Sequence, residues 1–396
     1  MKRWPIVVAT ALVLPAGCTD LGPTASPQQW LAEVSAGPTH ACALSTDGKA
    51  YCWGSGERRE LGNSPPASSF TPVAVGASIP FRHLSAGFSH TCALSTAGDA
   101  YCWGWGVFGA VGHGDFSDTA PEQVVGQHVF SAISAGWYHT CGIAEGGAAY
   151  CWGDNAQGQL GDGTFVNRAA PTAVLGGLRF AALSAGGAHT CGITTDALAY
   201  CWGGNDAGQL GTAAGGDATA PAAVVGGQRF ASISAGATHS CGVNAAGVPM
   251  CWGDNSEGEL GTGGTQQPGI PGSAGPVPVA TGSIAAHTFR SLSAGYGFTC
   301  GVGSDAVGYC WGHGIDGQLA SGFMADSPVP HSIAGLSGPA GPDGVSFHQV
   351  SAGGRTYACG ASAQNGVYCW GRGDEGELGS AETTQSVLPV RVTVPR

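Results

Sequence analysis

The triplet Ser-Ala-Gly recurs at Ser35, Ser85, Ser134, Ser184, Ser234, Ser293 and Ser351, at intervals of 50, 49, 50, 50, 59 and 58 residues. A period of this size confines the chain to repeat architectures, in which one unit cannot bury its apolar faces alone. Each unit reads SAG-x-x-HTC-(A/G)-(L/I), a turn, YCWG, then (D/G)-N-x-x-G-(Q/E)-LG, a variable stretch, P-x-x-V and F-x-x-(L/I) before the next triplet. The apolar segments are short, rich in Val, Ile, Tyr, Trp and Phe, and bounded by Gly, Asp, Asn and Pro, which predicts four strands per unit. Seven such units predict an all-β, seven-bladed β-propeller, because a ring lets every blade pack on two neighbours and removes the capping problem of an open stack. The 70 Gly and 23 Pro, a density otherwise suggestive of disorder, then read as the turns of that period.

Two further features bear on the ring. The last copy lacks a final F-x-x-(L/I) strand, while Gln29 to Val34 supplies a spare one ahead of Ser35. The expectation is closure by pairing of the N- and C-terminal strands, the two chain ends completing one blade between them. Fourteen of the 15 cysteines fall ten apart around a turn: Cys42 with Cys52, Cys92 with Cys102, Cys141 with Cys151, Cys191 with Cys201, Cys241 with Cys251, Cys300 with Cys310 and Cys359 with Cys369. In a hairpin centred on that turn the two members face each other, with Cα atoms roughly 4.5–5.5 Å apart. One disulfide per blade follows, and with it an oxidising compartment. Zinc sites use tighter Cys pairs gathered in fours, so a metal reading fails on spacing.

The leftover thiol is Cys18. Lys2 and Arg3 precede an apolar run from Trp4 to Leu14, too short to span a bilayer, and Pro15-Ala16-Gly17-Cys18 follows. Residues 1–17 read as a signal peptide resembling a bacterial lipoprotein signal, with Cys18 as the acylated first residue, 18–28 as a short linker and 29–396 as the propeller. The expected location is outer membrane or cell surface as a lipoprotein, otherwise periplasmic or secreted, with membrane contact only through the anchor at Cys18.

The Ser184-Ala185-Gly186, His189, Tyr200-Cys201-Trp202-Gly203 and Asn205-Asp206-Ala207-Gly208-Gln209-Leu210-Gly211 elements, repeated through seven copies from about Trp30 to Val394, resemble the regulator of chromosome condensation repeat family. The resemblance implies a seven-bladed propeller. The family's eukaryotic namesake exchanges nucleotide on a small nuclear GTPase with an inserted wedge and carries a chromatin-binding tail; no long wedge or basic tail stands in these copies. Exported members that inhibit β-lactamases through aromatic residues on one face show how such a surface works.

A formal charge of -12, from 14 Lys and Arg against 26 Asp and Glu, argues against nucleic acid as a partner. Metalloprotease, α/β-hydrolase and phosphate-loop signatures are absent, so no catalytic residue, metal or cofactor is assigned. The Asp154 to Gly163 loop has carboxylates but not a calcium-loop pattern, and reads as turn chemistry. His40, His90, His139, His189 and His239 occupy one position per unit, spread round the ring, each expected to be hydrogen-bonded within its blade; Phe298 and Tyr357 replace them in the last two copies. The Trp of each Cys-Trp-Gly element, Trp53 to Trp370, is expected to pack between blades.

Information specific to this chain lies where copies differ. The residues after Ser-Ala-Gly and the loop after Cys-Trp-Gly follow the first and third strands, so they share one face of the ring. There stand Phe88, Trp137, Tyr138, Tyr296 and Arg355, with Trp105 and Phe108 from the loop of the second copy and Arg58 and Arg59 from that of the first. Aromatic and Arg residues on loops are the anchors that protein interfaces favour; the alternative is that they fill gaps between blades. The expected function is a non-catalytic envelope scaffold binding an unidentified protein through this face. Alternatives are a carbohydrate-binding or glycan-cleaving propeller that takes polysaccharide, cleavage requiring paired Asp or Glu in the central funnel, and a purely structural envelope protein. The low-complexity stretches Gly261 to Gly275 and Gly335 to Gly344 read as solvated loops.

Overall fold

The computed structural model describes residues 31–212, 214–265, 272–282, 284–335, 345–364, 366–381 and 384–393. The signal segment, Cys18, the linker and the central parts of the two low-complexity loops lie outside them. Seven four-stranded antiparallel sheets follow one another along the chain, each made of four consecutive strands. In the first blade these are Leu31–Ala36, His40–Ser45, Ala50–Gly54 and Ser69–Ala74. The only helical segments among the described residues are two three-residue turns, Val107–Gly109 and Glu145–Gly147. The innermost strand of each blade carries Ser-Ala-Gly, and the seven triplets together line an axial cavity of about 160 Å³.

The invariant residues act at the seams. Each triplet Ser accepts a hydrogen bond from the backbone N–H of the Ala one blade on: Ser35 from Ala86, Ser85 from Ala135, Ser134 from Ala185, Ser184 from Ala235, Ser234 from Ala294 and Ser293 from Ala352, at 2.9–3.0 Å. The Gly lets the next blade approach: a methyl group on Gly87 would lie 2.4 Å from the carbonyl oxygen of Gly136. Each Trp is fully buried, and six of the seven indole N–H groups donate to a backbone carbonyl of the preceding blade, as Trp202 does to Gln159 at 3.0 Å. Apolar clusters therefore straddle the seams, not the blade centres, because a flat four-stranded sheet has no interior of its own.

The ring does not close by strand exchange. Leu31–Ala36 pairs within the first sheet and Gln385–Arg391 within the seventh, so the terminal strands are innermost and outermost in neighbouring blades and never meet in a ladder. The blade begins at F-x-x-(L/I), so Leu31 opens the first blade and no strand is spare. Closure uses the same contacts as every other seam. Ser351 accepts from Ala36 N–H at 3.0 Å, Trp53 donates to Glu377 O at 2.7 Å, and Leu31, Val34 and Trp53 share an apolar cluster with Tyr357, Leu378 and Val392.

All seven disulfides form between the expected partners, one in each blade. Cys42 is bonded to Cys52, Cys92 to Cys102, Cys141 to Cys151 and Cys191 to Cys201 in the first four blades. Cys241 is bonded to Cys251, Cys300 to Cys310 and Cys359 to Cys369 in the last three. The separation differs from expectation: the Cα atoms of Cys52, Cys102, Cys151, Cys201, Cys251, Cys310 and Cys369 stand only 4.0–4.1 Å from those of their partners. Alternation along the ladder puts these pairs at the short end of the expected range, and the covalent bridge holds them closer still. Ser45 N–H donates to Lys49 O, so stepping down the hairpin makes Cys42 and Cys52 a non-hydrogen-bonded pair, the closer kind.

Candidate functional site

Two positions in the loop after Cys-Trp-Gly meet across three of the seams. Arg58 of the first blade lies over the Trp105 ring of the second, 4.2 Å from its centroid. Glu257 of the fifth approaches His313 of the sixth at 3.4 Å, and Asp316 of the sixth bonds Arg372 of the seventh at 2.9 Å. These variable positions therefore form a rim of blade-to-blade pairs, each with its own chemistry. Asp154 and Asp162, in the loop considered for calcium, are used locally: Asp154 accepts from Ala156 N–H and the Gln159 amide, and Asp162 from Thr164, Asn155 and Arg168.

The aromatic residues meet on the expected face. From Trp105 the contacts run to Tyr138 (5.9 Å between ring centroids), which also takes Phe108 at 5.7 Å and Phe88 at 5.3 Å edge-on or tilted. Phe88 touches Trp137 at 5.9 Å, and Trp137 stacks on Tyr296 at 5.5 Å with rings 6° from parallel. Arg355 lies over Tyr296 at 5.4 Å. Trp137 belongs to the third blade and Tyr296 to the sixth, so their stack crosses the axis and covers that mouth of the cavity, whose lining includes both. Of the nine residues singled out on this face, all but Arg59 join one continuous chain of contacts. They pack on one another, yet Phe108 and Tyr296 stay 38% and 39% exposed. Burial within the cluster pushes the Tyr138 hydroxyl above its ordinary range.

The second-blade loop departs from its siblings to do this. Phe108 has φ 60°, a left-handed conformation that a bulky side chain adopts only under strain. In the same blade Ala110 stands where other copies have Gln or Glu, and Trp152, which looks onto that loop, is the one indole among the seven whose N–H has no partner. No Asp or Glu lines the described axial cavity, whose wall is Ser, Ala and Gly with Pro38, Trp137, Ala237 and Tyr296. The acid pair that glycan cleavage would place there is not present.

The histidines differ from expectation in their partner. His40, His90, His139, His189 and His239 each reach across a seam, Nε2 lying 2.7–2.9 Å from the hydroxyl of Thr91, Thr140, Thr190, Ser240 and Thr299 of the next blade. Those hydroxyls donate onward to backbone carbonyls, so Nε2 is the donor and the ring is neutral. Burial holds their pKa values at about 3 to 4. A seam-crossing bond is stronger evidence for a structural role than one inside a blade.

A family model for the RCC1-like domain matches residues 19–300, and one for the regulator of chromosome condensation (RCC1) repeat matches residues 364–396. The chain belongs to the RCC1-like family. Over 108 residues this RCC1-like chain is 32% identical to the ultraviolet-B receptor UVR8 of Arabidopsis thaliana, a stretch covering 26% of the chain and 22% of the receptor. Among solved structures it resembles human WBSCR16, with TM-score 0.76 at 17% identity, covering 88% of this chain and 94% of that one. Prp20p of Saccharomyces cerevisiae gives 0.75 at 18%, covering 92% and 88%. At these identities the likeness to the solved structures is one of fold.

Proposed function

We propose that this RCC1-like propeller is a non-catalytic scaffold, exported to the bacterial envelope and anchored through Cys18, that binds a protein partner with its aromatic face. The observation that carries the reading is the unbroken chain of aromatic and Arg contacts from Arg58 to Arg355 on one face. The large exposed apolar side chains Phe116, Phe165, Phe323 and Met324 stand on loops of the same face, and such concentrations mark interaction surfaces. The second blade supports it too, since presenting Phe108 and Trp105 accompanies backbone strain and an unpaired Trp152 that no demand of the fold explains. Protein binding is also what one protein of this fold does: Prp20p, the yeast RCC1, binds Gsp1p and histones and is seen bound to Kap60. Sugar stacking is less favoured, because Trp137 already spends one ring face on Tyr296.

The test is capture from solubilised envelope and medium by the native chain and by a Trp137→Ala/Tyr138→Ala variant. A protein retained only by the native chain, and bound at least about 2 kcal/mol more weakly by the variant, is the expected result for an anchor pair. Glycan held equally by both would move the function to carbohydrate, and no retained molecule would leave a structural role.

A further inference from the structure

We propose that Glu257, His313 and Asp326, at the seam between the fifth and sixth blades, form a binding site for a divalent transition-metal ion such as Zn²⁺. Their ligand atoms lie within 4.8 Å of one another. His313 is 4% exposed, and its Nδ1 is buried with no hydrogen-bond partner. That nitrogen lies 3.4 Å from Glu257 Oε2 and 3.4 Å from Asp326 Oδ1. The separation is beyond the usual N–H···O range of about 2.7–3.2 Å. It does match the edge of a tetrahedron: ligands about 2.0–2.1 Å from a zinc ion stand roughly 3.3–3.4 Å apart. One imidazole and two carboxylates leave a fourth position open to the face, the arrangement of a site that can take an exogenous ligand.

The surroundings fit. Nε2 of the same ring lies 4.0 Å from Asp316 Oδ2, and Asp316 is itself held by Arg372 at 2.9 Å, so a further carboxylate stands behind the histidine. The site sits beside the aromatic chain, since His313 N–H donates to the carbonyl of Gly297, the residue after Tyr296. Nothing in the order of the residues reveals it: one ligand comes from the fifth blade and two from the sixth.

The test is calorimetric titration of the folded, tag-free chain with Zn²⁺, alongside Glu257→Gln and Asp326→Asn. Both variants copy the third blade, where Gln157 and Asn167 occupy the same positions and Asn167 still accepts the backbone N–H that Asp326 accepts here, so both should fold. One equivalent of Zn²⁺ bound by the native chain, weakened at least about tenfold in each variant and accompanied by a tetrahedral-intensity visible spectrum with Co²⁺, is the expected outcome. Binding that the two substitutions leave unchanged, or no saturable binding by the native chain, would overturn the site and leave the triad as a seam ion pair.

Discussion

The histidine five residues after the triplet Ser does nothing inside its own blade; its value lies in the hydroxyl it meets in the next. The co-variation within the chain makes this plain. Where His is replaced, by Phe298 and Tyr357, the partner position in the following blade has lost its hydroxyl and reads Ala358 and Ala41. Phe298 and Ala358 pack together in an apolar cluster, and Tyr357 instead directs its hydroxyl to Gly37 O and His40 O, each at 2.7 Å. The two columns therefore act as a unit. His189→Phe alone should destabilise, because it strands the Ser240 hydroxyl as a buried acceptor, at about 1–3 kcal/mol. Adding Ser240→Ala rebuilds the pairing already present between the sixth and seventh blades. Denaturant unfolding of the two single variants and the double should show the double less destabilised than the sum, with a coupling of about 1 kcal/mol or more; strict additivity would mean that the two residues are independent. This pairing was visible in the aligned copies, provided columns of adjacent units were compared instead of columns within one unit.

At the level of strands and blades, the repeat announces itself because the physics is local: hairpin turns, alternating apolar residues and Cys ten apart all depend on neighbours in sequence. Blade count, strand count and disulfide pairing were legible for that reason. Ring closure was not, because it depends on where a blade begins in space, and a strand ahead of Ser35 looks spare until Leu31 is seen pairing with Ser45. The rim pairs were hidden likewise: Arg58 and Trp105, or Glu257 and His313, meet only once adjacent blades are in register, whereas the aromatic residues of the face could be gathered from loop order alone. The closure itself has a consequence that distinguishes it from strand exchange. If the last seam is one of seven equals, Ser351→Ala should cost the same as Ser184→Ala, each leaving a partly buried Ala N–H unbonded at about 1–3 kcal/mol. Parallel denaturation of the two variants measures it, and a Ser351 variant as stable as the native chain would show that the terminal seam is held by something else.

For the ring as a whole, buried ionisable groups set how stability responds to pH, and they pull in two directions. The five seam histidines have folded pKa values of about 3 to 4 against 6.5 when exposed. Their contribution is complete above 6.5 and is lost as pH falls toward the folded values, because the unfolded chain takes up protons that the folded one refuses. Glu259 and Glu377 are raised by burial from 4.5 to about 7, and Glu60 is raised as well. Their contribution is complete below 4.5 and is lost as pH rises through about 7. Between the two reference values the groups oppose each other, five histidines against three carboxyls, and each proton carries about 1.4 kcal/mol per pH unit. The histidines win, so the unfolding midpoint should fall on acidification from about pH 7.5 to about pH 5 even though every disulfide stays closed. Converting two seams to the apolar pairing, with His189→Phe/Ser240→Ala and His239→Phe/Thr299→Ala together, removes two of the five and should flatten that fall. Guanidinium unfolding of both chains across this range decides it: a native chain that holds or gains stability toward acid would mean that the seam histidines are charged in the folded ring, protonated on Nδ1 as well as on Nε2, and their neutral state at the seams would be overturned.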